Sequence, residues 1–168
     1  MEIVMSSYTK FNAKMSIQYD DDASAILGDD YWRIMETFQY DIGSEGSGKF
    51  AIVNKCFLTD GASIPRPVRW LIPRLGKHGQ AAALHDKLCE TYTILQMVNG
   101  TAMEVKITRK EIDHIFYEAL KVSKVNPIIR GLIRVGVDGY RIIARPTKPN
   151  VKKEKRRLEQ QCSLGQRD

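Results

Sequence analysis

The apolar residues of this chain change period across Pro65, Pro67 and Pro73. Before these prolines the apolar residues fall in short, β-branched and aromatic runs, and after them they recur at helical spacing. Residues 31–42 and 50–58 are two such runs, and the GSEGSG segment at 43–48 between them reads as a flexible loop, so a hairpin is predicted. Asp20-Asp21-Asp22 and Asp29-Asp30 lie in turn-like segments before it and lack the spacing of a calcium-binding loop, so they read as surface turns. After the prolines, Ala81, Ala82, Ala83, Leu84, Leu88 and Leu95 predict a helix over about 79–98, with a break at Asn99-Gly100. Thr108 followed by Glu111 is a capping box that starts a second helix at about Arg109. A third helix is predicted from Pro127 to about Ala144, weakened by Gly131, Gly136 and Gly139 at about 1 kcal/mol each and open to a kink. Its Arg130, Arg134 and Arg141 read as snorkelling side chains on a core-packing helix, and a membrane-surface helix is the competing reading. The pattern is that of an α+β protein: an N-terminal antiparallel hairpin or small sheet, then about three helices.

At 168 residues and 43% hydrophobic content, one domain over residues 1–145 is expected. Of the net charge of +6, residues 145–168 carry +5, so 146–168 reads as a disordered basic tail beside a nearly neutral body. Sequence-specific nucleic-acid binding is therefore not expected, and an anionic surface or an acidic partner protein is what such a tail would suit. Cys56, Cys89 and Cys162 show no metal-binding spacing and predict neither a disulfide framework nor a zinc site. The opening residues lack the apolar core of a signal peptide, and a reducing compartment is expected.

His85-Asp86 places an imidazole and a carboxylate inside an otherwise apolar helix, where polar groups are costly to bury without partners. Asp113, one turn into the second helix, reaches that imidazole if the two helices pack antiparallel. Two readings stay open: a structural His-Asp hydrogen bond, or a site in which His85 is a base oriented by Asp113. Asp60 sits in the turn Thr59-Asp60-Gly61 that ends an apolar strand, where it binds backbone N–H groups or supplies a further oxygen ligand. His78 reads as part of an exposed loop, His114 as facing another side of its helix, and Cys89 as a packed thiol more readily than a nucleophile paired with His85.

The segments TDGASIP, AAALHDKLCE and TRKEIDHIFYEAL, in that order over about residues 50–135, resemble an uncharacterised phage and prophage family with the pattern TDGASIP, then AAxxHDxLY, then ADxIFxxAL. The resemblance implies a phage-associated protein in the host cytoplasm or the virion. More distantly, the His-Asp helix and its Asp-bearing partner resemble phospholipase A2. That likeness implies a calcium-assisted lipid esterase acting on phospholipid or a membrane surface, with His85 as general base and Asp113 as its orienter. It further implies calcium held by Asp86, with Asp60, Gly76 and Gly79 completing the shell. Cys89 stands where that pattern has Tyr. A transition-metal phosphohydrolase and a non-enzymatic phage structural or host-interaction protein are the competing readings.

Overall fold

A computed structural model of the chain describes residues 11–61, 76–149 and 151–165. The strands form two antiparallel sheets. In the first, β1 (Ile17–Tyr19), β2 (Trp32–Ile34) and β5 (Leu58–Thr59) run in the order β1-β2-β5. In the second, β3 (Phe38–Asp41), β4 (Lys49–Val53), β6 (Thr93–Val98) and β7 (Thr101–Lys106) run in the order β3-β4-β6-β7. Five helices accompany them among the described residues: α1 (Asp21–Leu27), α2 (Gly79–Thr91), α3 (Arg109–Val122), α4 (Pro127–Ala144) and α5 (Lys153–Leu164). The class is α+β, as the change of period predicts, with two helices more than expected.

The predicted hairpin forms from β3 and β4, with Phe38 opposite Val53 and Tyr40 opposite Ala51. Period-two alternation turns these four side chains into the core and leaves Gln39 and Asp41 partly exposed. Each apolar run nevertheless divides between the two sheets: β2 and β3 come from the first, β4 and β5 from the second. The Asp20-Asp21-Asp22 cluster is a helix start. Asp20 accepts a hydrogen bond from the Ala23 N–H at 2.8 Å as N-cap of α1, and Asp21 and Asp22 face the positive end of the helix dipole.

α2 is shorter than its periodicity suggests. It ends at Thr91, where Tyr92 adopts a left-handed φ of 54°, and residues 93–98 leave as β6. Asn99 and Gly100, with φ of 51° and 79°, turn β6 into β7 as an Asn-Gly hairpin does. Leu95 therefore pairs in a strand with Phe50 and Glu104. Ala81, Ala82, Ala83, Leu84 and Leu88 remain the buried face of α2, which packs on α3 and β4. α4 runs unbroken from Asn126, whose side chain caps it, through all three glycines.

The expected disordered tail is corrected most. Within it, α5 packs on the body: Leu158 contacts the cluster of Ala23, Leu27, Tyr31 and Leu58, and Glu159 accepts from the Leu58 N–H at 2.9 Å. Lys155 is buried, pairs with Glu90 and lies over the Phe57 ring. Cys162 forms a disulfide with Cys56, against the expectation that no cysteine pairs. A helix needs only one matched stripe to dock, and Lys155, Leu158, Glu159 and Cys162 at helical spacing supply it. The bridge closes a separation of 106 residues, so Cys162→Ser should lower the unfolding free energy by about 2–4 kcal/mol in non-reducing denaturant titrations. An unchanged midpoint would mean that α5 is not held to the body by this bond.

Candidate functional site

The capping box at the start of α3 fixes where Asp113 stands. The Thr108 hydroxyl accepts from the Glu111 N–H, and the Glu111 carboxylate accepts from the Thr108 N–H at 2.7 Å. One turn later Asp113 is fully buried, facing α2. His85 Nε2 lies 2.9 Å from Asp113 Oδ1 where α2 packs on α3. The imidazole also stacks on Phe116, with centroids 4.4 Å apart.

Two arginines complete the surroundings of this carboxylate. Arg109 donates through Nε to Asp113 Oδ1 at 2.9 Å from four residues earlier on α3, and Arg141 donates through Nη1 to Asp113 Oδ2 at 2.9 Å from α4. Arg141 also pairs with Asp138 at 2.8 Å, whose carboxylate accepts from the Tyr117 hydroxyl at 2.9 Å. Two guanidinium groups thus face two carboxylates, and the imidazole is not needed as a cation. Arg109 was legible as an i, i+4 partner of Asp113. Arg141 carried no local signal, because its partner lies 28 residues away on another helix.

The protonation states follow from this geometry. Burial lowers the pKa of His85 below 6.5, against the opposing pull of its bond to Asp113, and the nearby Arg109 cation reinforces the shift. Burial pushes Asp113 up, but the His85 hydrogen bond and the Arg109 guanidinium outweigh it and hold the carboxyl below its usual range. At neutral pH the pair is a carboxylate and a neutral imidazole. Nε2 then carries the proton that Asp113 accepts, and Nδ1 is left unprotonated as an acceptor. Cys89 Sγ lies 3.7 Å from Nε2 and 3.9 Å from Nδ1, but burial pushes its thiol up to about 12, so it is no thiolate nucleophile at neutral pH.

Asp86, roughly 100° further around α2, faces the first sheet. Its Oδ2 accepts from the Thr59 hydroxyl at 2.6 Å, and the same hydroxyl oxygen accepts from the Gly61 N–H at 3.2 Å. Thr59, which sequence reasoning missed, makes this tie between β5 and α2. Burial first and the charge of Asp60 second raise Asp86 well above the ordinary carboxylate range, with the Thr59 bond opposing them. Burial and then the same two carboxylates push Tyr31 up to about 12. Asp60 acts on His85 as well, so its charge is felt on both faces of α2.

Residues 62–65 of the TDGASIP loop lie outside the described residues. Gly79 is buried as the first residue of α2, its N–H donates to the Gly76 carbonyl at 2.9 Å, and its own carbonyl faces into the helix ladder. Gly79 therefore shapes the helix start. His78, expected in an exposed loop, is buried at the N-cap of α2, whereas His114, on another side of α3 from Asp113, is exposed. Among the described residues, no three His, Cys, Asp or Glu side chains are grouped to hold a metal ion. A model of the family described as protein of unknown function, DUF1353, matches residues 32–137, which include Asp60, His85, Asp86, Asp113 and Thr59 but not α5 or Arg141. No curated protein and no solved structure matches the chain.

The lowered pKa of His85 has a sign that unfolding can read. Below 6.5 the unfolded chain binds a proton on this imidazole that the folded chain refuses, so the contribution of His85 falls as pH drops through 6.5. Asp113 contributes stability that is present above 3.8 and lost only as pH falls through its still lower folded value. Asp86 and Glu90, both raised, act in the opposite direction, so the observable is the difference between two proteins. As pH drops through 6.5, His85→Gln should lose less stability than the parent in urea titrations. Parallel pH profiles would show that the imidazole is not buried in its neutral form.

Proposed function

We propose, for a chain that belongs to the DUF1353 family, that it is a hydrolase of phospholipid-type esters with His85 as general base and Asp113 as the residue that orients it. The observation carrying this reading is the neutral His85 imidazole, tied through Nε2 to an ionised Asp113 at 2.9 Å with Nδ1 left able to take a proton. In the proposed step, Nδ1 takes a proton from water as the water oxygen bonds to the ester carbon. The imidazolium so formed is stabilised by Asp113, and Arg109 and Arg141 keep that carboxylate ionised. As the acyl carbon–oxygen bond breaks, Nδ1 returns the proton to the leaving alkoxide.

Asp86 and Asp60 suit a divalent cation chemically, because burial and then the charge of Asp60 raise Asp86, and a cation beside the two carboxylates would offset both. Calcium held there would supply Lewis-acid polarisation of the ester carbonyl. With the Gly79 carbonyl committed to α2, further oxygens would have to come from elsewhere. A transition-metal phosphohydrolase is less well supported, since His114 is exposed and His78 precedes His85 by about two helical turns. The saturation of Asp113 by three helices favours one second reading, a non-enzymatic phage structural or host-interaction protein in which this cluster is purely a tie. Of the basic tail, Lys153, Arg156 and Arg157 remain exposed for such a partner.

Purified protein should hydrolyse a phospholipid or model ester in calcium. His85→Ala and Asp113→Asn should each lower kcat by about two orders of magnitude or more while the far-ultraviolet spectrum is kept. Calcium should raise the melting temperature of the parent and leave that of Asp86→Asn unchanged. Absence of both calcium binding and ester hydrolysis in the parent would leave the His85–Asp113 pair as a structural tie.

A further inference from the structure

The outward face of α4 is apolar and uncovered. Ile128, Val135 and Ile142 recur every seven residues and are 74%, 73% and 67% exposed, and Ile143 beside them is 85% exposed. Gly131 and Gly139 lie on the same stripe, where an added Cβ would meet nothing within 4 Å. By contrast, α3 hides Ile112, Ile115, Phe116 and Leu120 in the core. A contiguous exposed apolar face of this kind marks an interaction surface.

Charge identifies the occupant. Arg134 and Arg145 are exposed to one side of the stripe, and Asp138, the single acidic residue of α4, is already shared by Arg134 and Arg141. A second copy laid on this face would bring the same cationic edge against itself, whereas anionic headgroups would neutralise it. Among the described residues no helix is long and apolar enough to cross a membrane, so α4 would lie in the plane of the interface.

We propose that α4 docks the protein on an anionic phospholipid surface, with Ile128, Val135 and Ile142 entering the acyl boundary and the arginines at headgroup level. The helix that docks is also part of the site: its Arg141 holds Asp113, and its Tyr140 ring lies under Arg109, 5.7 Å from the guanidinium carbon. Docking thus brings a helix that contacts the site to the lipid interface. The surface itself is argued from α4 alone, and its meaning as substrate delivery rests on the esterase reading.

Co-sedimentation of the full chain with vesicles of phosphatidylcholine, with and without phosphatidylserine, tests the docking. The parent should bind the mixed vesicles, more weakly as salt rises, and not pure phosphatidylcholine. Ile142→Asp, at an exposed position, should weaken binding about tenfold or more and leave hydrolysis of a water-soluble short-chain ester unchanged. Three results would overturn the proposal: no binding of the parent to mixed vesicles, equal binding by Ile142→Asp, or a dimer in sedimentation equilibrium that Ile142→Asp dissolves. If the parent binds mixed vesicles as described but hydrolyses no soluble ester, the docking surface stands and the esterase reading fails.

Discussion

Asp113 is fully buried, and its two oxygens take hydrogen bonds from His85 on α2, Arg109 on α3 and Arg141 on α4. A lone carboxylate in that position would be lost to desolvation, so the three helices must converge for the charge to be tolerated. The constraint is mutual. Arg141 and Arg109 can be partly buried because Asp113 and Asp138 answer them, and burial holds His85 toward its neutral form, with the Arg109 cation reinforcing it. Packing of Leu84, Leu88, Ile112 and Leu120 then supplies the apolar burial, each side chain contributing about 2 kcal/mol.

The other side of α2 shows the opposite electrostatics. There Asp86 and Asp60 lie with Thr59 and Tyr31, among the described residues no guanidinium bonds to Asp86, and burial drives Asp86 toward its protonated form. Asp113 on α3 and Asp86 on α2 therefore sit on opposite sides of the usual carboxylate range, the first lowered and the second raised well above it, through different neighbours. Such a separation of protonation states is what acid–base chemistry uses. α5 bears on this second face through Lys155, whose cation opposes the rise of both Asp86 and Glu90. The C-terminal segment is thus coupled to the electrostatics of the site as well as fastened to the fold.

Sequence revealed what depends on short range. The capping box at Thr108 and Glu111 placed the start of α3 correctly, and the periodicity of α2 and α3 placed His85 and Asp113 on facing sides. The β6–β7 hairpin was readable too, since TILQMV-NG-TAMEVK alternates around an Asn-Gly turn, but the leucine spacing of α2 obscured it. Arg141, Thr59 and the Cys56–Cys162 bridge were not readable. Each joins segments whose approach is set by tertiary packing, and nothing local distinguishes Arg141 from Arg134 before the helices are assembled. The tail misled for a related reason: its charge implied solvation, yet Lys155 is stabilised by Glu90 from 65 residues away.

The tautomer and charge of one imidazole hold the account together. Nitrogen-15 chemical shifts of His85 in the labelled protein, followed through a pH titration, report both directly. The account predicts a neutral ring at pH 7, protonated at Nε2 and bare at Nδ1, that gains its second proton only below 6.5. An Nδ1–H tautomer, or a ring already cationic at neutral pH, would contradict it.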